Sequence, residues 1–500
     1  MLPRSCWAGS GISADAGPSK QSLLPSFYGP DEAAAESTAI VGALSTRAPA
    51  IRARIAAGSA RVGPLELTVA LGAALAAVAG TIGADARWLA ALGRIIVERG
   101  HIPDGVPYAS APSTGWHNVP VLAELILRGI TSAAGDHGLL TAQVVSVAGA
   151  LAILAWDLRR SGADDLGSAV VLLVVLIGSL PVLLIVRSQL FSLLLFPVLV
   201  ALLRAEARSP SLRIWLLPAL LALWSNLHGA VLIGFAVTAA YLIFARARRQ
   251  PLLALAVLAV SAVAICLTPA LQNTPGYYAG LLRNEAARRG EGLWAPLSLT
   301  SGFDLLLVAS AILLLALAIR ARPQLWETLA LAGLTVLTVK TARSGVWLLF
   351  FAAAPAARSL HLEPGRERRL AGPLLGVAVA LALFGLARGP QSSEAGKPLI
   401  NEALHRAAGT PILAEGVPAE QVALAGGRVW MSNPIDAFRR RDQGIYLDWL
   451  AGRQSGDVAL QHARVVLVIR GSRPAKRLRG SRVFRPAAHD ANAILYVRRS

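Results

Sequence analysis

The sequence predicts a mainly α protein: a polytopic transmembrane helical bundle followed by a small C-terminal α/β domain. Three observations predict it. About eleven apolar stretches of near bilayer-crossing length follow one another between residues 64 and 387. Arginines gather in every second connection between them. Beyond residue 388 the long apolar runs stop, and short β-branched runs separated by turn residues take over. The expected organisation is a disordered cytoplasmic tail over 1–60, a membrane domain over 61–388 with a large outer loop at 84–136, and an extracytoplasmic α/β domain over 389–500.

The first of these observations agrees with composition. Of 500 residues 55% are hydrophobic and only 15% charged, a balance that a soluble domain of this size does not need. The net charge of +19 would suggest nucleic acid in a soluble protein, but here much of it lies in short loops and follows the positive-inside rule. Nucleic acid is therefore not an expected partner. Arginine far outnumbers lysine, and with abundant Ala and Gly this points to a bacterial, GC-rich source. Cys6 falls in the tail and Cys266 inside an apolar stretch, so no disulfide framework is expected.

The apolar stretches run near 64–83, 137–156, 166–185, 188–204, 212–227, 229–246, 251–268, 303–320, 324–340, 345–358 and 371–387. With the N-terminus inside, Arg159, Arg160, Arg204, Arg208, Arg246 to Arg249, Arg320, Arg322 and Arg358 to Arg369 all fall on the cytoplasmic side. The loops at 84–136 and 269–302 and the C-terminal domain then lie outside a bacterial plasma membrane. Ala86 to Glu98 predicts a helix with Trp88, Leu89, Leu92, Ile95 and Ile96 on one face and Arg87, Arg94 and Glu98 on the other, a pattern suited to the membrane interface. In the C-terminal domain strands are expected at 411–414, 428–431, 464–469 and 493–497, and a helix near 443–450.

Several polar residues fall at helix ends on the expected outer side. Asp85 precedes the amphipathic helix, where it is either an N-cap or a general base. Arg187 and Gln189 sit in a tight turn between two apolar runs. The arginine is either a snorkelling side chain or a fork for a phosphate. Asn226 and His228 interrupt another pair of runs and serve either as turn residues or as hydrogen-bonding partners of a sugar or phosphate. Lys340 and Arg343, three apart, share one face on a continuous helix and invite an anion between them. Asp164 and Asp165 are assigned to a solvated turn, Asn433-Pro434 to a turn, and Asp436 to a cap. No metal-ligand spacing occurs; the sequence calls for no cofactor and leaves a divalent metal open.

These residues, in this order, resemble a group of bacterial polytopic membrane proteins similar to the GT-C class of glycosyltransferases. The resemblance rests on Asp85-Ala-Arg-Trp88-Leu89 through Gly93-Arg94, then Trp116, Asn118 and Glu124, then Arg187-Ser188-Gln189-Leu190-Phe191-Ser192 and Asn226-Leu227-His228-Gly229, with Lys340 and Arg343 where the group has paired basic residues. It covers roughly 64–360. The chain departs from the group's pattern in four places. Leu89 replaces a His, Val119-Pro120-Val121 replace His-Glu-Trp, Leu293 replaces a Glu, and the tail reads Trp430-Met-Ser-Asn433-Pro434-Ile-Asp436 where the group tends to have Asp-Gly-Arg.

What the resemblance implies is transfer of a sugar from a polyprenyl phosphate donor to an envelope glycan, lipid or protein on the outer face. Asp85 would be the general base. Arg187, Gln189, Asn226, His228, Lys340, Arg343, Trp116 and Glu124 would bind substrate, with membrane lipid as the surrounding partner. A catalytically degenerate scaffold of the same fold, or a lipid or glycan transporter, is the alternative. The absence of an evident internal repeat weighs against an inverted-repeat transporter.

Overall fold

The computed structural model describes residues 63–362, 367–391 and 394–499. The tail expected over 1–60 lies outside them. Helix α1 (Pro64–Ala79) starts on a proline, whose missing N–H is no loss in a first turn, and Glu66 accepts the amide of Gly63. A short strand β1 (Thr81–Ile82) leads to α2 (Ala86–Arg99), which ends at Gly100 in the left-handed conformation. Helix α3 (Val121–Arg160) is broken at Gly135, where φ of 55° and ψ of −139° divide a first limb from an apolar second one. After α4 (Asp165–Gly178) and α5 (Leu180–Leu184), strand β2 (Ile185–Val186) precedes α6 (Leu190–Arg208). The bundle continues through α7 (Leu216–Ser225), α8 (Val231–Phe244), α9 (Pro251–Ile265), α10 (Thr274–Arg283), α11 (Glu285–Arg289), α12 (Gly302–Arg320), α13 (Leu325–Lys340), α14 (Gly345–Arg358) and α15 (Glu367–Arg388).

Each predicted apolar stretch contains a helix. Among the described residues five stretches are long and apolar enough to cross a membrane: Val121–Arg160, Leu190–Arg208, Val231–Arg248, Gly302–Arg320 and Ala371–Arg388. Helix α14 forms the centre. It is apolar around its whole circumference and buried from Gly345 to Ala357, as a helix without a polar face must be. Trp347 packs on Phe196 at 5.2 Å between ring centres, and Phe351 meets Trp326 edge-on at 5.8 Å. At the periphery α15 lies along α1 and leaves Leu374, Val377, Leu381 and Phe384 exposed, a surface suited to hydrocarbon rather than water.

One end of the bundle is held by charge. Arg204 near the end of α6 bonds Asp157 of α3 at 2.6 Å and the Phe351 carbonyl at 2.6 Å, and reaches Glu327 of α13 at 3.4 Å. Arg358 joins Glu327 at 3.2 Å. Four of the arginines expected in the cytoplasmic loops, Arg159, Arg204, Arg246 and Arg358, are ion-paired, and Arg204 and Arg246 are buried.

The C-terminal region builds α16 (Lys397–Ala407), β3 (Ile412–Ala414), α17 (Gly416–Leu424), α18 (Arg440–Leu450), β4 (Val465–Ile469), α19 (Arg473–Leu478), β5 (Phe484–His489) and β6 (Ala493–Arg498). Its sheet runs β3-β4-β6-β5, with β3 parallel to β4 and the other pairs antiparallel. Two expectations need correction. Residues 428–431 form no strand of this sheet; Val429 makes single bridges to Ile412 on one side and to Ala109 of the loop after α2 on the other. Strand β5 was not foreseen, because its outward residues are charged or small and Pro486 interrupts the pattern.

Helix α2 is likewise not an interfacial helix. Ala86 to Gly93 are all buried, because α3 packs on one side and α17 on the other. Even Arg87, expected on the polar face, is only 3% exposed and is paired with Asp136 and Glu394.

Removing Arg204 should leave Asp157 and Glu327 buried without their shared cation. Arg204→Met is expected to destabilise the bundle by about 3–5 kcal/mol, read as an earlier unfolding midpoint in detergent titration, with the C-terminal sheet's own signal unchanged.

Candidate functional site

The opposite end of the bundle gathers the polar residues singled out above. The first contact is a clip between β1 and β2, which pair in parallel as Thr81 with Ile185 and Ile82 with Val186, extended by Gly83 N–H to Val186 O at 3.0 Å. Three residues beyond Ile82 comes Asp85, and one beyond Val186 comes Arg187. A pair of two-residue strands thus places a carboxylate and a guanidinium from distant parts of the chain at one mouth. Gly83 is needed there: a Cβ would fall 2.3 Å from Ile185 and 3.0 Å from Arg187 Nε.

Asp85 occupies the residue before α2 but does not cap it. Its φ is 90°, a conformation that a non-glycine residue rarely adopts, and its side chain accepts no amide of the first turn. Instead Oδ1 accepts the indole N–H of Trp88 at 3.1 Å. The backbone is held from outside: Asp85 N–H lies 3.0 Å from both carboxylate oxygens of Glu420 on α17. Glu420 is fully buried and also accepts Asn433 Nδ2 at 2.9 Å. Strain of this kind persists where surrounding structure over-determines it.

A cavity of about 230 Å³ opens in front of Asp85. Its lining brings Arg187, Gln189, His228 and Arg343 together with Asp85 and Asp436. Trp88, Tyr277, Trp294 and Trp347 give aromatic surface, while Leu232, Ile233, Leu281 and Leu337 make an apolar flank between α8, α10 and α13. A smaller cavity of about 160 Å³ touches Arg187, Gln189 and Arg343 from the side of α4 and α12.

The two arginines are the electrostatic core. Neither has a carboxylate within ion-pair distance among the described residues, and Arg187 Nε is buried without a hydrogen-bond partner there. Arg343 stacks its guanidinium 4.3 Å from the Trp294 ring. Burial lowers its pKa, the Arg187 charge lowers it further, and Asp85 opposes the shift; it remains a cation.

His228 is the neutral member. Its Nδ1 accepts the Ala230 amide at 3.3 Å and lies 2.7 Å from Ser192 Oγ, which in turn accepts the Trp224 indole N–H at 2.7 Å. With Nδ1 an acceptor, the proton belongs on Nε2. Burial first, then the Arg343 charge, push its pKa down to about 3, so the ring is an uncharged N–H donor at neutral pH.

Four expected site residues are elsewhere or act indirectly. Lys340 is exposed and outside the cavity, because α13 ends there and Thr341 is extended (φ −145°, ψ 107°), so Lys340 and Arg343 do not share a helical face. Asn226 ties down its turn, donating to Ala222 O and Leu267 O at 2.8 Å each. Glu124 is fully buried, accepting Asn118 Nδ2 at 2.8 Å, away from the cavity. Trp116 stands one layer back: its indole N–H reaches Asp436 Oδ2 at 3.0 Å, and its ring lies 6.2 Å from Tyr277.

Asp436 and Glu420 are the residues the sequence reading missed as site members. Asp436 was read as a cap, yet it sits in the short turn Ile435–Ala437 and faces the cavity. Burial raises its pKa, the Trp116 hydrogen bond opposes this, and the Asp85 charge adds to the rise. Glu420 carried no sequence signal, being 335 positions from the amide it holds. Among the described residues no group of three or more His, Cys, Asp or Glu could hold a metal ion.

No protein-family model and no curated protein matches the chain.

Burial, then the neighbouring Asp85 charge, raise the Glu420 pKa from 4.5 to about 8 against the bonds from Asp85 N–H and Asn433. A raised folded-state pKa contributes stability that is full below the unfolded value and lost as pH rises through the folded one. The melting temperature should therefore fall between pH 4.5 and 8, and Glu420→Gln, which keeps an acceptor but no titrating group, should flatten that fall.

Proposed function

We propose that this protein is a membrane glycosyltransferase that moves a sugar from a polyprenyl phosphate to an acceptor hydroxyl at the outer face of a bacterial plasma membrane. The observation that supports it most is the Arg187–Arg343 pair. Two guanidiniums that face one cavity without a carboxylate partner call for an anion, and an arginine fork suits phosphate. The apolar flank gives an isoprenoid chain a route to the bilayer, the aromatic wall a surface for a sugar ring, and Asp85 a base.

The charge balance favours this assignment of roles. Asp85 takes the proton of the acceptor hydroxyl as its oxygen bonds the anomeric carbon. The bond from that carbon to the phosphate oxygen breaks, and its electron pair stays on the phosphate. A singly charged phosphodiester becomes a doubly charged monoester. The added charge develops between Arg187 and Arg343, with the His228 N–H as a neutral donor. Asp436 is assigned to the acceptor, where a carboxyl can orient a second hydroxyl. In this reading the chain crosses the membrane eleven times with a GT-C-like arrangement. The positive-inside rule puts the basic loops in the cytoplasm and the cavity, at the other end of the bundle, outside.

A degenerate scaffold is the second reading, and Leu89 and Leu293 favour it. Both line the cavity where the resembled pattern has a His and a Glu.

Purified protein should turn over one member of a panel of labelled polyprenyl phosphate sugars. Asp85→Asn should lower that rate by about 10²–10⁴, and Arg343→Gln by about 10²–10³. Lys340→Gln should leave it unchanged, which separates the structure's assignment from the sequence pairing. Binding without turnover in the wild type would support the scaffold reading, and neither binding nor turnover would remove the enzyme reading.

A further inference from the structure

Helix α2 has a second functional face. Trp88 and Leu89 face the cavity of Asp85, whereas Arg87, Ala90, Arg94 and Glu98, spaced by three and four, form a stripe that lines a separate cavity of about 720 Å³. No residue lines both. The other walls are the first limb of α3 from Arg128 to the Gly135 break, the end of α15 at Arg388, and the start of the C-terminal domain at Glu394 and Lys397.

This cavity is built for an anion. Five arginine and lysine side chains line it against three carboxylates, an excess of two cationic side chains. Arg87 is its most buried cation. The Nη2 of Arg87 serves Asp136 at 3.0 Å and Glu394 at 2.6 Å, while its Nη1 is buried with no hydrogen-bond partner among the described residues. Arg94 Nε is in the same condition. Buried guanidinium N–H groups left open in this way mark the place of a missing acceptor. Arg128 and Lys397 add two cations without an ion pair among the described residues.

Position selects the kind of anion. Arg388 and Gln391 both donate to Val78 O at the end of α1, so the cavity floor rests on the α1–α15 pair. That pair presents the exposed apolar face of Val377, Leu381 and Phe384 directly below. Positive charge above a lipid-facing helix pair is the arrangement that holds an anionic headgroup with its chains in the bilayer. We propose that this cavity binds the phosphate of an anionic lipid headgroup, at a site distinct from the one in front of Asp85. The ligand joins α2, α3 and the C-terminal domain. The inference does not depend on the transferase reading.

Native mass spectrometry of the purified full-length protein tests it, with phosphatidylglycerol, phosphatidylcholine and inorganic phosphate as probes. The wild type should retain one phosphatidylglycerol in clear preference to phosphatidylcholine. The double variant Arg128→Gln, Lys397→Gln removes half-buried and exposed side chains only, and an unchanged melting temperature without lipid would show that it folds. It should lose about tenfold in phosphatidylglycerol retention, the scale of a lost charged hydrogen bond. Arg343→Gln, in the other cavity, should retain the lipid as the wild type does. Equal retention by wild type and double variant, or loss in Arg343→Gln alone, would overturn the site. Binding of inorganic phosphate that the double variant loses, with no preference for the anionic lipid, would overturn the lipid as its source.

Discussion

The carboxylate of Glu420 lies across the backbone N–H of Asp85, and much of this end of the molecule depends on that contact. It joins a helix of the C-terminal domain to the residue that opens α2, and it holds that residue at a φ of 90° that the free chain would abandon. Because the backbone is held there, the Asp85 side chain is released from capping and turned toward Trp88 and the cavity. The β1–β2 clip then sets the distance to Arg187. The C-terminal domain thus completes the cavity through one buried contact.

The cavity gathers both signs of charge. Its guanidiniums have no carboxylate within ion-pair distance among the described residues, two carboxylates share its lining, and a neutral histidine beside the arginines adds a donor without adding charge. An arrangement that left Arg187 and Arg343 side by side for structural reasons alone would be costly, since like charges repel most where water is scarce. At the other end of the bundle the buried Arg204 is instead paired with Asp157 and Glu327. The contrast between paired and unpaired arginines within one fold is what distinguishes a structural network from a binding site here.

Helix positions were legible because their signal is local: long apolar runs ended by Pro, Gly or Arg allow little else. Asp85, Arg187, Gln189, His228 and Arg343 were legible as polar exceptions at the ends of such runs. Lys340 was misplaced because the periodicity argument assumed that the helix continued through Thr341, whose extended backbone rotates the chain. Asn226 and Glu124 were misplaced because a polar residue at a turn satisfies the backbone as readily as a ligand. The orientation of α2 was misread because an amphipathic pattern reports which side is apolar, not what covers the other; here α3, Asp136 and Glu394 do. Glu420 and Asp436 were illegible as site members, since only tertiary structure carries them across more than three hundred positions to Asp85.

The central claim is that the Arg187–Arg343 pair is a phosphate site. The most direct measurement is an experimental map of the protein with a short-chain isoprenyl phosphate. Phosphate density is expected within hydrogen-bond distance of both guanidiniums, with the chain leaving along Leu232, Ile233 and Leu337. Phosphate bound elsewhere while both arginines remain without an anion would contradict it.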